Sequence, residues 1–226
     1  DRDALDRRWP WTRQVEDVDA ALDAWREHAR PVRAGRRVVL APAWLPVPDP
    51  NDGDVVVPLD PGRAFGSGSH PATRLAVAAL EPRVAAGTSL LDVGCGSGVL
   101  AVVALRLGAD RAVAVDVDPA AVAATRDNAA RNGVLDRLTV DDRPLAEVAG
   151  RFDLVVANIG LGTLRALAAD LVARVAAGGW LVLSGLLADQ ADGLVAELAP
   201  LTEEARLVED GWVAPVLRRP PATTRG

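Results

Sequence analysis

The chain has 226 residues, 50% of them apolar and 25% charged, which is the composition of a folded unit rather than of a disordered segment. Its formal charge is −6, which argues against a globally basic nucleic-acid binder, and every basic residue is arginine, which excludes Schiff-base, pyridoxal and P-loop lysine chemistry. With no tyrosine, one cysteine, two histidines, a charged start and no apolar run of about 18 residues, the chain is expected to be a soluble cytoplasmic protein without membrane contact, disulfide or metal. In chain order, residues 1–59 read as a partial N-terminal region or linker. They hold four of the six tryptophans, a helical stretch near Val15–Arg30, and short strands at Arg36–Leu40 and Asp54–Val57.

From Asp60 to Leu217 the pattern becomes regular. Helices are predicted at Pro71–Leu80, Val99–Leu107, Pro119 to Asn132, Thr163–Ala176 and Leu187–Leu198. Strands are predicted at Ser89–Val93, Arg111–Val117, Leu138–Val140, Phe152–Ala157, Trp180–Ser184, Ala205–Val208 and Trp212–Leu217. Asp118 and Pro119 supply an N-cap and first helical residue, and Gly108 a helix stop. Alternating apolar strands and helices make an α/β fold with a doubly wound, mainly parallel, seven-stranded sheet. Only Glu209, Asp210 and Gly211 join the last two strands, too few for a crossover, so that pair is antiparallel. Residues 218–226 form a tail.

The strand Ser89–Val93 runs into Gly94-Cys95-Gly96-Ser97-Gly98 and then a helix, the place where an open α/β sheet binds its ligand. A dinucleotide fingerprint would need glycine where Val99 stands. Asp92 would repel a pyrophosphate but hold an ammonium group, and Asp116 ends the next strand, where a carboxylate accepts from ribose hydroxyls. A ribose and an amino-acid ammonium without phosphates describe S-adenosylmethionine. The alternatives are that Asp92 caps the helix and Asp116 serves a turn. Cys95 reads as a small loop residue. Asn158, at the end of the fourth strand, can accept from an amine and donate to the cofactor, or can cap the next helix. The small-residue segment from Asp60 to Thr73 reads as a loop over the cofactor. In it Phe65 supplies an apolar wall, Thr73 a hydrogen-bond donor, and Ser69 or His70 the helix cap.

Together these segments resemble the PrmA family of ribosomal stalk-base protein methyltransferases. The matching residues are DPGRAFGSGSHPAT from Asp60, Asp92–Gly98, Asp116-Val-Asp-Pro119, Asn158-Ile159 (followed here by Gly160 where the family has leucine) and Leu183–Gly185 with Gln190. The likeness runs from about Trp25 to Leu198. It implies a Rossmann-like class I methyltransferase fold using S-adenosylmethionine, with cofactor contacts at Thr73, Gly94, Asp116 and Asn158. Gly96 and Asp92 belong to the same loop. It also implies N-methylation of protein amino groups, a lysine side chain or an N-terminal amine, on a ribosomal protein partner. Asn158 would be the catalytic residue. A small-molecule methyltransferase and a non-catalytic cofactor module are the alternatives. Two departures stand out. Only about 25 residues precede the match, where the family carries a recognition domain, and Gly160-Leu-Gly-Thr163 replaces the family's L-x-x-P stretch. Residues 1–24 are too few to bury a core. Acceptor choice is therefore expected to fall to an upstream piece or to the Trp9–Arg37 region with its five arginines from Arg26 to Arg37.

Overall fold

The structure is a computed structural model and describes residues 28–47, 50–62 and 66–222. The helix expected near Val15–Arg30 falls outside these residues except at its end, where His28 is helical. Three short strands follow: β1 (Val32–Ala34), β2 (Val38–Pro42) and β3 (Val55–Leu59). They form a small sheet, with β1 antiparallel and β3 parallel to β2. Of the basic cluster expected here, Arg33 pairs with Asp54 at 2.6 Å and Arg37 with Glu81 at 3.4 Å. Part of that charge is therefore neutralised within the fold.

The main sheet holds β4 (Ser89–Val93), β5 (Arg111–Val115), β6 (Leu138–Asp141), β7 (Phe152–Asn158), β8 (Val175–Ser184), β10 (Thr202–Glu209) and β11 (Trp212–Arg218). Their order is β10-β11-β8-β7-β4-β5-β6, and the two-residue β9 (Leu186–Leu187) pairs with β11. The strands from β8 to β6 are parallel, and β11 is antiparallel to both β10 and β8. The expected class I methyltransferase sheet is thus present, with β9 as a short addition. Asp210 and Gly211 turn the β10–β11 hairpin with φ of 49° and 80°, the left-handed pair of a two-residue turn that matches strand twist.

The helices are α1 (Pro71–Leu80), α2 (Val99–Arg106), α3 (Pro119–Arg131), α4 (Leu161–Ala166), α5 (Ala168–Arg174) and α6 (Ala188–Ala196). Every residue of α2 from Val99 to Leu105 is buried. A helix apolar all round must be covered on both sides. Here the main sheet lies on one side, through β4 and β5, and the small sheet on the other, through β3. Ala34, Val38, Leu40, Val57 and Leu59 share one core with α1, α2 and the strands β4 and β5. A second core on the opposite face joins α4, α5 and α6 to β7 and β8.

Two expectations need correction. The helix over Thr163–Ala176 is two short helices, α4 and α5, and the second stops at Arg174. The reason is that β8 begins at Val175, five residues before the expected Trp180. Its Ala-Ala-Gly-Gly start has poor strand propensity but is held by the end of β11. Gly178 N–H donates to Arg219 O at 3.1 Å, and Arg219 N–H donates to Gly179 O at 2.9 Å.

Candidate active site

The sheet order reverses between β4 and its neighbours β5 and β7, so connections from their carboxyl ends leave a crevice there. An open cleft of ≈ 740 Å³ occupies this position, lined among others by Gly94, Gly96, Asp116, Asn158, His70 and Trp212. The glycine loop after β4 forms its floor. Gly94 has φ 72°, and a Cβ there would stand 2.5 Å from Ile159 Cγ2, so both the turn and the close approach of the β7 end require glycine.

Four amides of this loop are spent internally. Gly94 N–H and Cys95 N–H both donate to Val115 O, at 2.9 and 3.2 Å, and Gly98 N–H donates to Cys95 O at 2.7 Å. Gly96 N–H donates to Asp116 Oδ2 at 2.9 Å. Phosphate-binding loops work by aiming such amides at the ligand. This loop instead presents a carboxylate, whose other oxygen accepts from Asp118 N–H at 3.0 Å. Two bonds leave lone pairs on a carboxylate that takes about four.

Asp92 is turned elsewhere. It is buried, is not among the cleft-lining residues, and accepts from Ala101 N–H at 3.1 Å in the first turn of α2. That is the helix-capping alternative rather than direct contact with a ligand ammonium. Burial pushes its carboxyl up to about 7, with the Asp116 charge adding to the rise, against the opposing hydrogen bond from Ala101. Cys95 is buried and accepts from Thr125 Oγ1 at 3.3 Å, and burial pushes its thiol up. Thiolate chemistry is disfavoured there.

Across the cleft, Asn158 closes β7 and its Nδ2 donates to Thr73 Oγ1 at 3.3 Å. Thr73 sits in the first turn of α1, fully buried and behind the cleft wall. The bond fixes the amide and leaves Asn158 Oδ1 as an acceptor. His70 is the N-cap of α1, its Nδ1 accepting from Ala72 N–H at 3.2 Å. Ser184 Oγ donates to Ala72 O at 2.8 Å, tying the end of β8 to the same turn. Gly185 follows with φ 81°, and a Cβ there would lie 2.7 Å from Ile159 O.

The structure therefore gathers Gly94, Gly96, Asp116 and Asn158 on the cleft, sets Thr73 one layer behind, and places Asp92 beneath α2. Phe65 lies outside the described residues. Sequence reasoning missed Val117, which lines the cleft yet is 84% exposed, an apolar side chain left open beside Asp116. Leu145 with Pro144, and Trp212 of β11, complete apolar walls that no local motif announces. Also missed was Asn128. Its Nδ2 donates to Asp60 O and Ser97 O, each at 2.9 Å, and its Oδ1 accepts from Asp60 N–H at 2.9 Å, joining the loop after β3 to the glycine loop.

This sheet order and cleft define a class I methyltransferase fold. The profile of the family described as ribosomal protein L11 methyltransferase (PrmA) matches residues 4–220, a longer span than the motifs alone. A ribosomal protein L11 methyltransferase of Geobacter metallireducens is 49% identical over 192 residues, 83% of this chain and 62% of that relative. The crystal structure of a ribosomal protein L11 methylase from Lactobacillus delbrueckii subsp. bulgaricus superposes with a TM-score of 0.78 at 29% identity, over 84% of this chain and 99% of that one. An RNA methyltransferase from Salinibacter ruber in complex with S-adenosyl-L-homocysteine shares the fold, with a TM-score of 0.54 at 20% identity over 67% of this chain and 94% of that one. The chain belongs to the PrmA family. It spans about three fifths of the length of the Geobacter relatives it matches.

Proposed function

We propose that this chain binds S-adenosylmethionine and transfers its methyl group to an amino group of ribosomal protein L11, a lysine side chain or the N-terminal amine. The observation that carries the reading is the glycine loop, four of whose amides are consumed internally while Asp116 faces the cleft. Those four amides are not offered to a pyrophosphate, which would also face the Asp116 carboxylate, whereas an uncharged ribose finds an acceptor. Exposed Val117, with Pro144 and Leu145, offers a flat apolar face to an adenine ring. Gly94 and Gly96 would lie along the cofactor, and Asn158 would face its reactive end. Membership of the PrmA family supports the acceptor class.

When bound, S-adenosylmethionine supplies a methyl group on a sulfonium sulfur, already activated for in-line displacement. The protein's tasks are then alignment and the exclusion of water. Thr73 holds the Asn158 amide so that Oδ1 accepts an N–H of the neutral acceptor amine, keeping the nitrogen lone pair on the transfer axis. His70 does not serve as base. Its Nδ1 is committed to Ala72 N–H, so in the neutral ring the other nitrogen carries the hydrogen. The amine proton is lost to solvent before transfer.

The test is incubation of the chain with labelled S-adenosylmethionine and purified ribosomal protein L11. Label should appear on the protein, and Asn158→Ala should lower turnover at least tenfold more than it weakens cofactor binding. Equal losses would make Asn158 a cofactor ligand only, and label confined to small molecules would overturn the acceptor assignment.

A further inference from the structure

The cleft has a wall that belongs to neither the glycine loop nor the β7 end. Trp212, the first residue of β11, lines it and stands edge-on to His70, with ring centroids 4.6 Å apart and planes at 75°. The two rings come from distant parts of the chain. His70 is fixed by its cap on α1, but Trp212 follows immediately on the tight turn of the β10–β11 hairpin. Its ladder partner across that turn is Glu209.

Glu209 is gripped by Arg74 of α1. Arg74 Nε and Nη2 donate to Glu209 Oε1 at 2.9 and 2.5 Å. Asp210 Oδ2 lies 3.9 Å from Nη2. The remaining arm, Nη1, donates to the carbonyl of Ser69, the residue before His70. One planar guanidinium therefore ties the hairpin turn, the start of α1 and the backbone beside His70 into a single unit. Both partners are partly shielded from water, with side-chain exposures of 22% and 35%, so screening weakens the pair less than it would on an open surface. Arg74 itself is not among the residues lining the cleft.

We infer that Arg74 is a positioning residue for the acceptor: by clamping Glu209 it seats the indole of Trp212 against His70, and so builds the aromatic wall along which the acceptor's side chain reaches Asn158. The inference rests on the methyltransferase reading above and adds the element that sets acceptor binding. An aromatic wall suits the methylene stem of an amine-bearing side chain, which buries its carbons while its nitrogen stays at the polar end of the cleft. The loop after β4 and the end of β5, which line the cofactor in that reading, make no bond to Arg74, and the Thr73–Asn158 bond does not involve its side chain. Release of the clamp should therefore act on the acceptor and leave the cofactor alone.

The experiment compares the full chain with Arg74→Ala, Arg74→Lys and the exchanged pair Arg74→Glu with Glu209→Arg. It measures steady-state methylation of purified ribosomal protein L11 alongside calorimetric binding of S-adenosylmethionine. Arg74→Ala should raise the acceptor KM by about tenfold, with kcat and the cofactor Kd changed by no more than about twofold, the pattern of lost uniform binding. Arg74→Lys, which keeps charge but loses the fork, should recover only part of the loss. The exchanged pair, which restores the ion pair to position 209 but not the bond to the Ser69 carbonyl, should also recover part of it. An unchanged acceptor KM in Arg74→Ala overturns the clamp while leaving the methyltransferase reading intact. A cofactor Kd that rises in step with the acceptor KM also overturns it, because the residue would then be merely structural. No transfer by the unmodified chain defeats the underlying reading, and the clamp falls with it.

Discussion

Asp92 lies on β4 and Asp116 just past the end of the neighbouring β5, and they meet opposite surroundings. Asp92 gives up hydration for a place under α2, and the single amide from Ala101 does not compensate, so its carboxyl rises to about 7. An acid with a raised native pKa holds more protons folded than unfolded. Stability should therefore fall as pH rises from about 4 to about 7 and level off above that. Asp92→Asn should flatten this fall and be the more stable protein at pH 8 by on the order of a few kcal/mol. Urea midpoints at pH 4.5 and 8 would show it, and equal pH slopes in the two proteins would refute it. Asp116 keeps its carboxylate at the cleft, so Asp116→Ala should weaken cofactor binding by roughly 1–3 kcal/mol, the cost of a lost charged acceptor. Calorimetry with unchanged affinity would remove Asp116 from the site. Because the proposed mechanism uses no base among the described residues, kcat/KM should climb about tenfold per pH unit towards the lysine range near 10.4. A plateau near pH 7 would reveal a base.

Among the elements, α3 contributes a buried polar residue that holds two loops of the site together. Asn128 binds Asp60 through both its amide groups and Ser97 through a third bond. Asn128→Ala takes the donor from the buried Ser97 carbonyl, at about 1–3 kcal/mol, and removes the two bonds to the part-buried Asp60 besides. The expected result is a urea midpoint lowered by at least ~2 kcal/mol in stability, with amide exchange faster at Asp60 and little changed in β8. A midpoint equal to the parent's would show that other contacts hold the loop. Elements of this kind differ in how far the sequence reveals them. Pro71–Leu80 and Pro119–Arg131 were legible because His70 and Asp118 cap them and proline follows each. The Val-rich interior strands were legible from their apolar runs. The start of β8 was not, because Ala-Ala-Gly-Gly becomes a strand only where the end of β11 pairs with it. The direction of Asp92 was hidden for a different reason. With both faces of β4 covered, alternation does not tell which face meets a helix and which borders the ligand. Trp212 and Val117 reach the cleft through sheet order, a long-range property that local spacing does not encode.

At the scale of the molecule, a small sheet, a helical layer, the main sheet and a second helical layer stack around the cleft, and the hairpin of β10 and β11 closes one flank. The last strand is not at the edge: β11 lies between β10 and β8, antiparallel to both. A chain cut after Glu209 would leave β10 without a neighbour and the cleft without Trp212. Such a chain is expected to lose its sharp unfolding transition and its cofactor binding together. Retention of either at parental strength would show that the five strands from β8 to β6 suffice. The same insertion governs the order of events at birth. While the protein is being synthesised, β8 carries a bare apolar edge and β10 has nowhere to dock until the residues up to Arg218 have left the ribosome's exit tunnel. The nascent chain is thus open to edge-to-edge association from the emergence of β8 until β11 has inserted beside it.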